Sequence, residues 1–259
     1  MPFHESHGVR YFTFENFPGS IRQAVFTRRG GVSPAPWESL NVGGTVGDDP
    51  SRVTENRIRA FRTMDLDPAS MHDVWLVHGT GVIFADSPRQ SEKPLQADIQ
   101  FTDNPAVTLF MRFADCVPLL FHDQTKQVIG IAHAGWLGTL RGTATTAIQA
   151  MQEKYESRPE DIRAGVGPSI GPDHYQVGDE VVSQFREKFG ADCDRFMKTR
   201  NGSAYLDLWS ANEFQLRQAG VGQIEQSGIC TVCHLNDWFS HRGEKGKTGR
   251  FGALISLQV

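Results

Sequence analysis

The chain of 259 residues contains few cysteines, no long apolar run and no excess of positive charge. Four cysteines are too few for a disulfide framework in a chain of this length, so we expect them to bind a metal, to catalyse or to be buried. No apolar run reaches membrane-spanning length and the N-terminus has no signal-peptide pattern, which predicts a cytoplasmic protein without membrane contact. A formal net charge of −4 argues against a general nucleic-acid-binding protein, because neutralising phosphates requires a basic surface.

The sequence also lacks internal repeats, low-complexity tracts and a recognisable linker. We therefore predict that residues 1–259 form a single domain, and a chain of this length can bury a substantial core. Hydrophobic residues make up 39% of the chain and charged residues 22%, so the composition is that of an ordinary globular protein.

The order of predicted strands and helices indicates the fold class. Short apolar runs that stop at Gly, Asp or a polar pair predict strands near both ends and between residues 74 and 134, the first of them being VWLVHG. A helix is predicted at about 50–64, where Asp49 precedes Pro50. Further helices are predicted at 143–155, 179–190 and 206–220. Strands at both ends with helices between them favour an α/β chain of the α+β type with a mixed sheet.

Three residues that could carry chemistry lie at the ends of apolar runs: His78, Cys116 and His133. If neighbouring strands present them to one cleft, a thiolate and two imidazoles suit zinc and leave the fourth position open, as in catalytic zinc sites. Their spacings of 38 and 17 residues do not form a local metal motif. The pattern is equally compatible with a Cys116 nucleophile whose base is His133, or with buried residues that have no chemical role.

Three further segments contain reactive or charged side chains. Cys230 and Cys233 have the spacing of a redox pair or of half a zinc site, but no second pair completes such a site, and partly buried thiols are the preferred interpretation. The basic, glycine-containing loop at Arg28 could hold an anion, although a solvated turn has the same pattern. The basic turn at 242–250 is interpreted as solvated in the same way.

Ordered motifs occur along nearly the whole chain: TRRGGVS at 27–33, GDDP at 47–50, ENR at 55–57, VHG at 77–79, ADCVPLLF at 114–121, AHAGWLGT at 132–139, GPSIGPDHYQVGDEV at 167–181, CTV at 230–232, FSHR at 239–242 and TGR at 248–250. Together they resemble the laccase-domain family, also called YfiH-like or multicopper polyphenol oxidase-like, whose members are described as purine nucleoside phosphorylases with adenosine deaminase activity. So many motifs in the same order make the family resemblance specific.

The resemblance implies a mixed β-sheet sandwich flanked by helices, similar to the fold of some cysteine hydrolases, and a Zn²⁺ site at His78, Cys116 and His133. The implied reactions are phosphorolysis of adenosine, inosine and methylthioadenosine, and hydrolytic deamination of adenosine. The partners are then purine nucleosides and phosphate. We further predict that Asp115 moves protons during deamination and that Arg28 helps to hold phosphate.

Two positions depart from the family pattern. Leu137 follows the HAGW motif where Arg or Lys is common, and His241 stands where Tyr is common. Arg141 or His241 is the expected substitute for the missing basic group. Three alternatives remain: a cysteine-dependent hydrolase, a copper-containing polyphenol oxidase, and a non-catalytic metal-binding or interaction module. Copper is disfavoured, because the nine histidines include no HxH pair and a multicopper cluster needs closely grouped imidazoles.

Overall fold

The computed structural model describes residues 3–90 and 93–258, and its first large sheet contains strands from both ends of that chain. Neighbouring strands in this sheet are antiparallel, except that its edge strand β4 runs parallel to β7. The strands in spatial order are β1 (Phe3–Ser6), β2 (Val9–Phe12), β3 (Ile21–Phe26), β15 (Phe251–Leu257), β7 (Thr108–Phe113) and β4 (Met71–Asp73).

The second large sheet is also mixed and contains the most deeply buried strands. Its two edge strands are parallel to their neighbours, and the inner pairs are antiparallel. The strands in spatial order are β14 (Gln223–Gln226), β10 (Ile162–Val166), β8 (Val117–Asp123), β9 (Val128–Ala134), β6 (Ile99–Thr102) and β5 (Val82–Phe84). A small third sheet contains β11 (Gln176–Val177), β13 (Ser203–Leu206) and β12 (Met197–Arg200).

The two large sheets pack face to face, and helices cover their outer faces. Leu109 and Ile255 of the first sheet share one apolar cluster with Leu120 and Ile131 of the second. The helix α1 (Pro50–Thr63) covers the first sheet, and α3 (Thr143–Tyr155) and α5 (Leu208–Gln218) cover the second. The remaining helices are α2 (Trp136–Arg141) and α4 (Asp179–Phe189). Because both faces of β8 and β9 are covered, their sequences are continuously apolar rather than alternating.

The predicted helices are confirmed, with ends that agree within two residues. At α1 the signal was local: the Asp49 carboxylate accepts the backbone N–H of Ser51 at 2.8 Å, and Pro50 occupies the first turn. The predicted α/β fold with mixed sheets is confirmed as well. The single-domain organisation of residues 1–259 stays a prediction. No helix within residues 3–90 and 93–258 is long and apolar enough to cross a membrane.

The predicted strand VWLVHG is wrong. Only Trp75 makes a bridge, to Gln96, and His78 has a left-handed backbone with φ of 57°. The cause is the side chain of Asp98, which binds three consecutive backbone N–H groups at 77–79 and so replaces the partner strand. The segment WFSHR is also not a strand: residues 238–240 have no regular secondary structure, and a turn begins at His241.

Candidate metal centre

The structure brings His78, Cys116 and His133 together, with their ligand atoms within 4.8 Å of one another. Cys116 lies in the turn between β7 and β8, and His133 lies near the end of β9. Because β8 and β9 are antiparallel and pair Pro118 with His133, the turn that carries Cys116 ends beside the imidazole. His78 approaches from the loop before β5, with its ring centroid 4.9 Å from that of His133.

One buried carboxylate, that of Asp98, orients two of these three residues. Its Oδ1 lies 2.9 Å from Nδ1 of His133 and accepts the backbone N–H of His78 at 3.0 Å. Its Oδ2 accepts the backbone N–H groups of Val77 and Gly79 at 3.2 and 2.7 Å. With Nδ1 of His133 held by the carboxylate, Nε2 is the nitrogen that remains for a metal or for the thiol. No local pattern in the sequence points to Asp98, which lies 35 residues before His133.

The imidazoles favour the thiolate form of Cys116. Burial opposes the charged thiolate, but His133, and to a lesser degree His78, outweigh it and lower the pKa of Cys116 to about 6. Burial likewise opposes the imidazolium form of His133, but Cys116 and Asp98 together raise the pKa of His133. Without a metal these groups therefore form a thiolate–imidazolium pair, and a bound metal cation would take the place of the imidazolium proton.

The neighbouring residue Asp115 has both carboxylate oxygens engaged in hydrogen bonds. Oδ1 accepts the hydroxyl groups of Thr231 and Ser240, each at 2.7 Å, and Oδ2 accepts the backbone N–H of Arg242 at 2.7 Å. The backbone of Asp115 is left-handed, with φ of 85°. These contacts make Asp115 an anchor between the Cys116 turn and the C-terminal segment, and its predicted role in moving protons stays a prediction.

The three candidate ligands line a cavity of about 470 Å³, a volume typical of small-molecule sites. Three arginines, Arg112, Arg242 and Arg250, are among the residues that line it. Arg112 donates to the carbonyl oxygen of Val74 at 2.6 Å, and burial together with nearby arginines lowers its pKa only to about 10, so it stays cationic. The other lining residues are Gly43, Gly44, Thr45, Trp75, Leu76, Ala114, Asp115, Tyr175 and His241.

These arginines were not predicted from the sequence to line the cavity. Arg112 is the one charged residue in the strand-like run VTLFMRF, and a charge within a buried strand is a signal that could have been used. Arg242 and Arg250 were interpreted as part of a solvated turn, whereas the fold turns this segment towards the Cys116 cavity. His241, which was predicted to substitute for the basic group that is missing at Leu137, also lines this cavity.

The two arginines predicted to bind substrate lie elsewhere. Arg28 donates to the carbonyl oxygen of Leu235 at 2.9 Å and pairs with Glu244 at 3.0 Å, beside a separate surface cavity. Arg141 lies in the last turn of α2, where its guanidinium approaches the carbonyl oxygen of His78 at 3.4 Å. Neither is among the described residues that line the Cys116 cavity, and substrate binding by them stays a prediction.

A family model described as multi-copper polyphenol oxidoreductase laccase matches residues 22–258. A purine nucleoside phosphorylase of Deinococcus radiodurans is 38% identical over 238 residues, covering 92% of this chain and 90% of the relative. The crystal structure of YlmD from Geobacillus stearothermophilus superposes with a TM-score of 0.93 at 33% identity, covering 100% and 99% of the two chains. That of the Bacillus licheniformis hypothetical protein YfiH gives 0.92 at 34% identity, covering 99% of each chain. The predicted YfiH-like fold is confirmed.

Proposed function

The chain belongs to the multi-copper polyphenol oxidoreductase laccase family, and from that premise we propose that it is a zinc-dependent purine nucleoside phosphorylase. The observation that carries the proposal is the meeting of His78, Cys116 and His133 at a cavity that three arginines also line. The proposed substrates are phosphate and adenosine, inosine or methylthioadenosine. A cytoplasmic location is part of the proposal, because a thiolate ligand has to be kept reduced.

The donor set fits Zn²⁺. One thiol with a lowered pKa and two imidazoles would supply three protein ligands, the number that a catalytic zinc site uses, and all three residues line the cavity. Asp98 supplies the outer hydrogen bond that zinc-binding histidines usually have. Bound there, zinc would supply a Lewis acid next to the substrate. Within the described residues, one group of possible metal ligands contains two histidines and the other contains one. A multicopper cluster needs more imidazoles close together, so zinc is favoured over copper at His78, Cys116 and His133.

The residues around the ligands suit phosphorolysis. In that reaction a phosphate oxygen forms a bond to C1′ of the ribose while the bond from C1′ to the purine nitrogen breaks, and the base leaves with that electron pair. Arg112, Arg242 and Arg250 would bind the dianionic phosphate, and guanidinium groups do this in a bidentate geometry. Trp75 and Tyr175 provide aromatic surface on which a purine could stack.

Hydrolytic deamination of adenosine is a second proposed activity. Zinc deaminases hold their metal with histidine and cysteine, and the same two ligand types meet at this cavity. Such a reaction needs a group that carries a proton to the leaving ammonia. Because hydrogen bonds occupy both oxygens of Asp115, His241 on the cavity wall is a second candidate for that role.

The proposal is tested by incubating the zinc-loaded protein with adenosine in the presence and absence of phosphate. Adenine and ribose 1-phosphate should form only with phosphate, whereas inosine forms without it if deamination occurs. Cys116→Ala should abolish both reactions, and Cys193→Ala, which removes a buried thiol outside the cavity lining, should abolish neither. Adenine formation at equal rates in wild type and Cys116→Ala would contradict the proposal.

A further inference from the structure

A second group of metal-ligand side chains lies outside the Cys116 cavity and has no part in the proposed reaction. His174 belongs to the loop between β10 and β11, and Cys230 and Cys233 follow β14. Nδ1 of His174 lies 3.6 Å from Sγ of Cys230 and 3.6 Å from Sγ of Cys233. We propose that these three residues form a second, independent zinc site.

The distances match tetrahedral zinc. With zinc–sulfur bonds of about 2.3 Å and zinc–nitrogen bonds of about 2.0–2.1 Å, tetrahedral angles place nitrogen and sulfur ligands about 3.5 Å apart. Both nitrogen–sulfur distances here are 3.6 Å, and all three ligand atoms lie within 4.8 Å of one another. An ion can therefore bind without rearrangement of the backbone. Solvent supplies the fourth ligand, because Cys233 is exposed.

The protein backbone already fixes the ligands in this arrangement. Ser169 and Cys230 form a β-bridge, in which the N–H of Ser169 donates to the carbonyl of Ile229 at 3.1 Å and the N–H of Thr231 donates to the carbonyl of Ser169 at 3.0 Å. The N–H of Gly171 donates to Sγ of Cys230 at 3.2 Å. This hydrogen bond holds the sulfur of Cys230 in place beside Nδ1 of His174.

The proposed second site joins a segment that lines the Cys116 cavity to a segment that contacts Asp115, another residue of that lining. Tyr175, which follows His174, lines that cavity. Thr231 lies between the two cysteines and donates to the carboxylate of Asp115 at 2.7 Å. A zinc ion bound here would therefore cross-link the 171–175 loop to the 229–233 segment. We assign it a structural role in holding the wall, distinct from the reaction at Cys116.

The test is a titration of reduced, metal-free protein with Zn²⁺ against a chromophoric chelator. Wild type should bind two equivalents. Cys233→Ser and His174→Gln should each bind one, and Cys116→Ser should also bind one. Cys233 is exposed, so its substitution leaves the core intact, and Cys193→Ser serves as the control that retains two equivalents. X-ray absorption at the zinc edge of Cys116→Ser should then give two sulfur ligands and one nitrogen ligand from protein.

Three results would overturn the second site: one equivalent in wild type, two equivalents in Cys233→Ser, or a Cys230–Cys233 disulfide that forms as fast with Zn²⁺ as without it. The last would identify a redox pair instead of a metal site. The outcomes are separable from those of the proposed function. A protein that binds two equivalents but lacks activity contradicts only the function, and an active protein with one equivalent contradicts only the second site.

Discussion

The two groups of histidine and cysteine side chains use the same donors in opposite proportions. Two imidazoles surround one thiol at Cys116, and their positive charge lowers the thiol pKa to about 6. One imidazole meets two thiols at the second site, where burial and then Cys230 raise the pKa of Cys233. A zinc ion with one thiolate keeps a formal charge of +1, whereas two thiolates neutralise it. A zinc ion bound by the first group would therefore be the stronger Lewis acid.

The largest effect is expected from Cys116→Ala. Loss of the thiolate removes one of three protein ligands, so zinc at the first site and nucleoside phosphorolysis should both fall to background. The matched variant Cys233→Ala should keep activity and lose only the second equivalent of zinc. Metal analysis and initial rates measured on the same preparations check both statements. Loss of activity in Cys233→Ala together with full zinc at the first site would contradict the assignment of the reaction to the first site alone.

Asp98→Asn should weaken zinc binding at the first site by roughly 10–100-fold, the usual effect of removing an outer-shell partner. The neutral amide is a weaker acceptor for Nδ1 of His133 and for the N–H groups at 77–79. The chelator titration measures this change directly. Asp103→Asn, an exposed carboxylate one residue beyond β6, is the control and should leave affinity unchanged. Equal affinities for Asp98→Asn and wild type would show that the carboxylate does not tune the site.

Arg250→Gln should raise the KM for phosphate by roughly 10–100-fold, because hydrogen bonds to charged groups contribute about 1.5–3 kcal/mol. Arg28→Gln should leave that KM unchanged and instead lower the melting temperature, since Glu244 loses its partly buried partner. Phosphate saturation curves and thermal unfolding of both variants test the assignment. A raised KM for phosphate in Arg28→Gln together with an unchanged KM in Arg250→Gln would instead support the prediction that Arg28 holds phosphate.

Thiol alkylation in metal-free protein should separate the two groups by pH. Since the pKa of Cys116 is lowered to about 6, its thiolate is already dominant at neutral pH, and its rate should level off above about pH 7. The pKa of Cys233 is raised, so its rate should still increase through the alkaline range. Peptide mapping by mass spectrometry resolves the two residues. Parallel profiles would contradict the electrostatic contrast.

The smallest effect is expected at Leu137, where the family commonly has a basic residue. Leu137 is not among the described residues that line the cavity. Leu137→Arg should therefore change kcat/KM for phosphorolysis by less than about twofold, as expected for a substitution without direct contact. A tenfold gain would mean that the side chain reaches the bound phosphate.

Local patterns in the sequence were enough to predict several helices and strands. Asp49 and Pro50 marked the start of α1, and the apolar runs of β8 and β9 marked strands with both faces covered. The strand at VWLVHG failed because its N–H groups bind the side chain of Asp98, a partner about 20 residues away that no local pattern reveals. For the same reason the meeting of His78 with Cys116 followed from family resemblance and not from spacing.

The most direct test of the central claim is the release of adenine from adenosine by zinc-loaded wild type and zinc-treated Cys116→Ser, each with and without phosphate. The account predicts phosphate-dependent adenine in wild type and none above background in the variant. Adenine released without phosphate by wild type, or equal adenine from the variant, would contradict it.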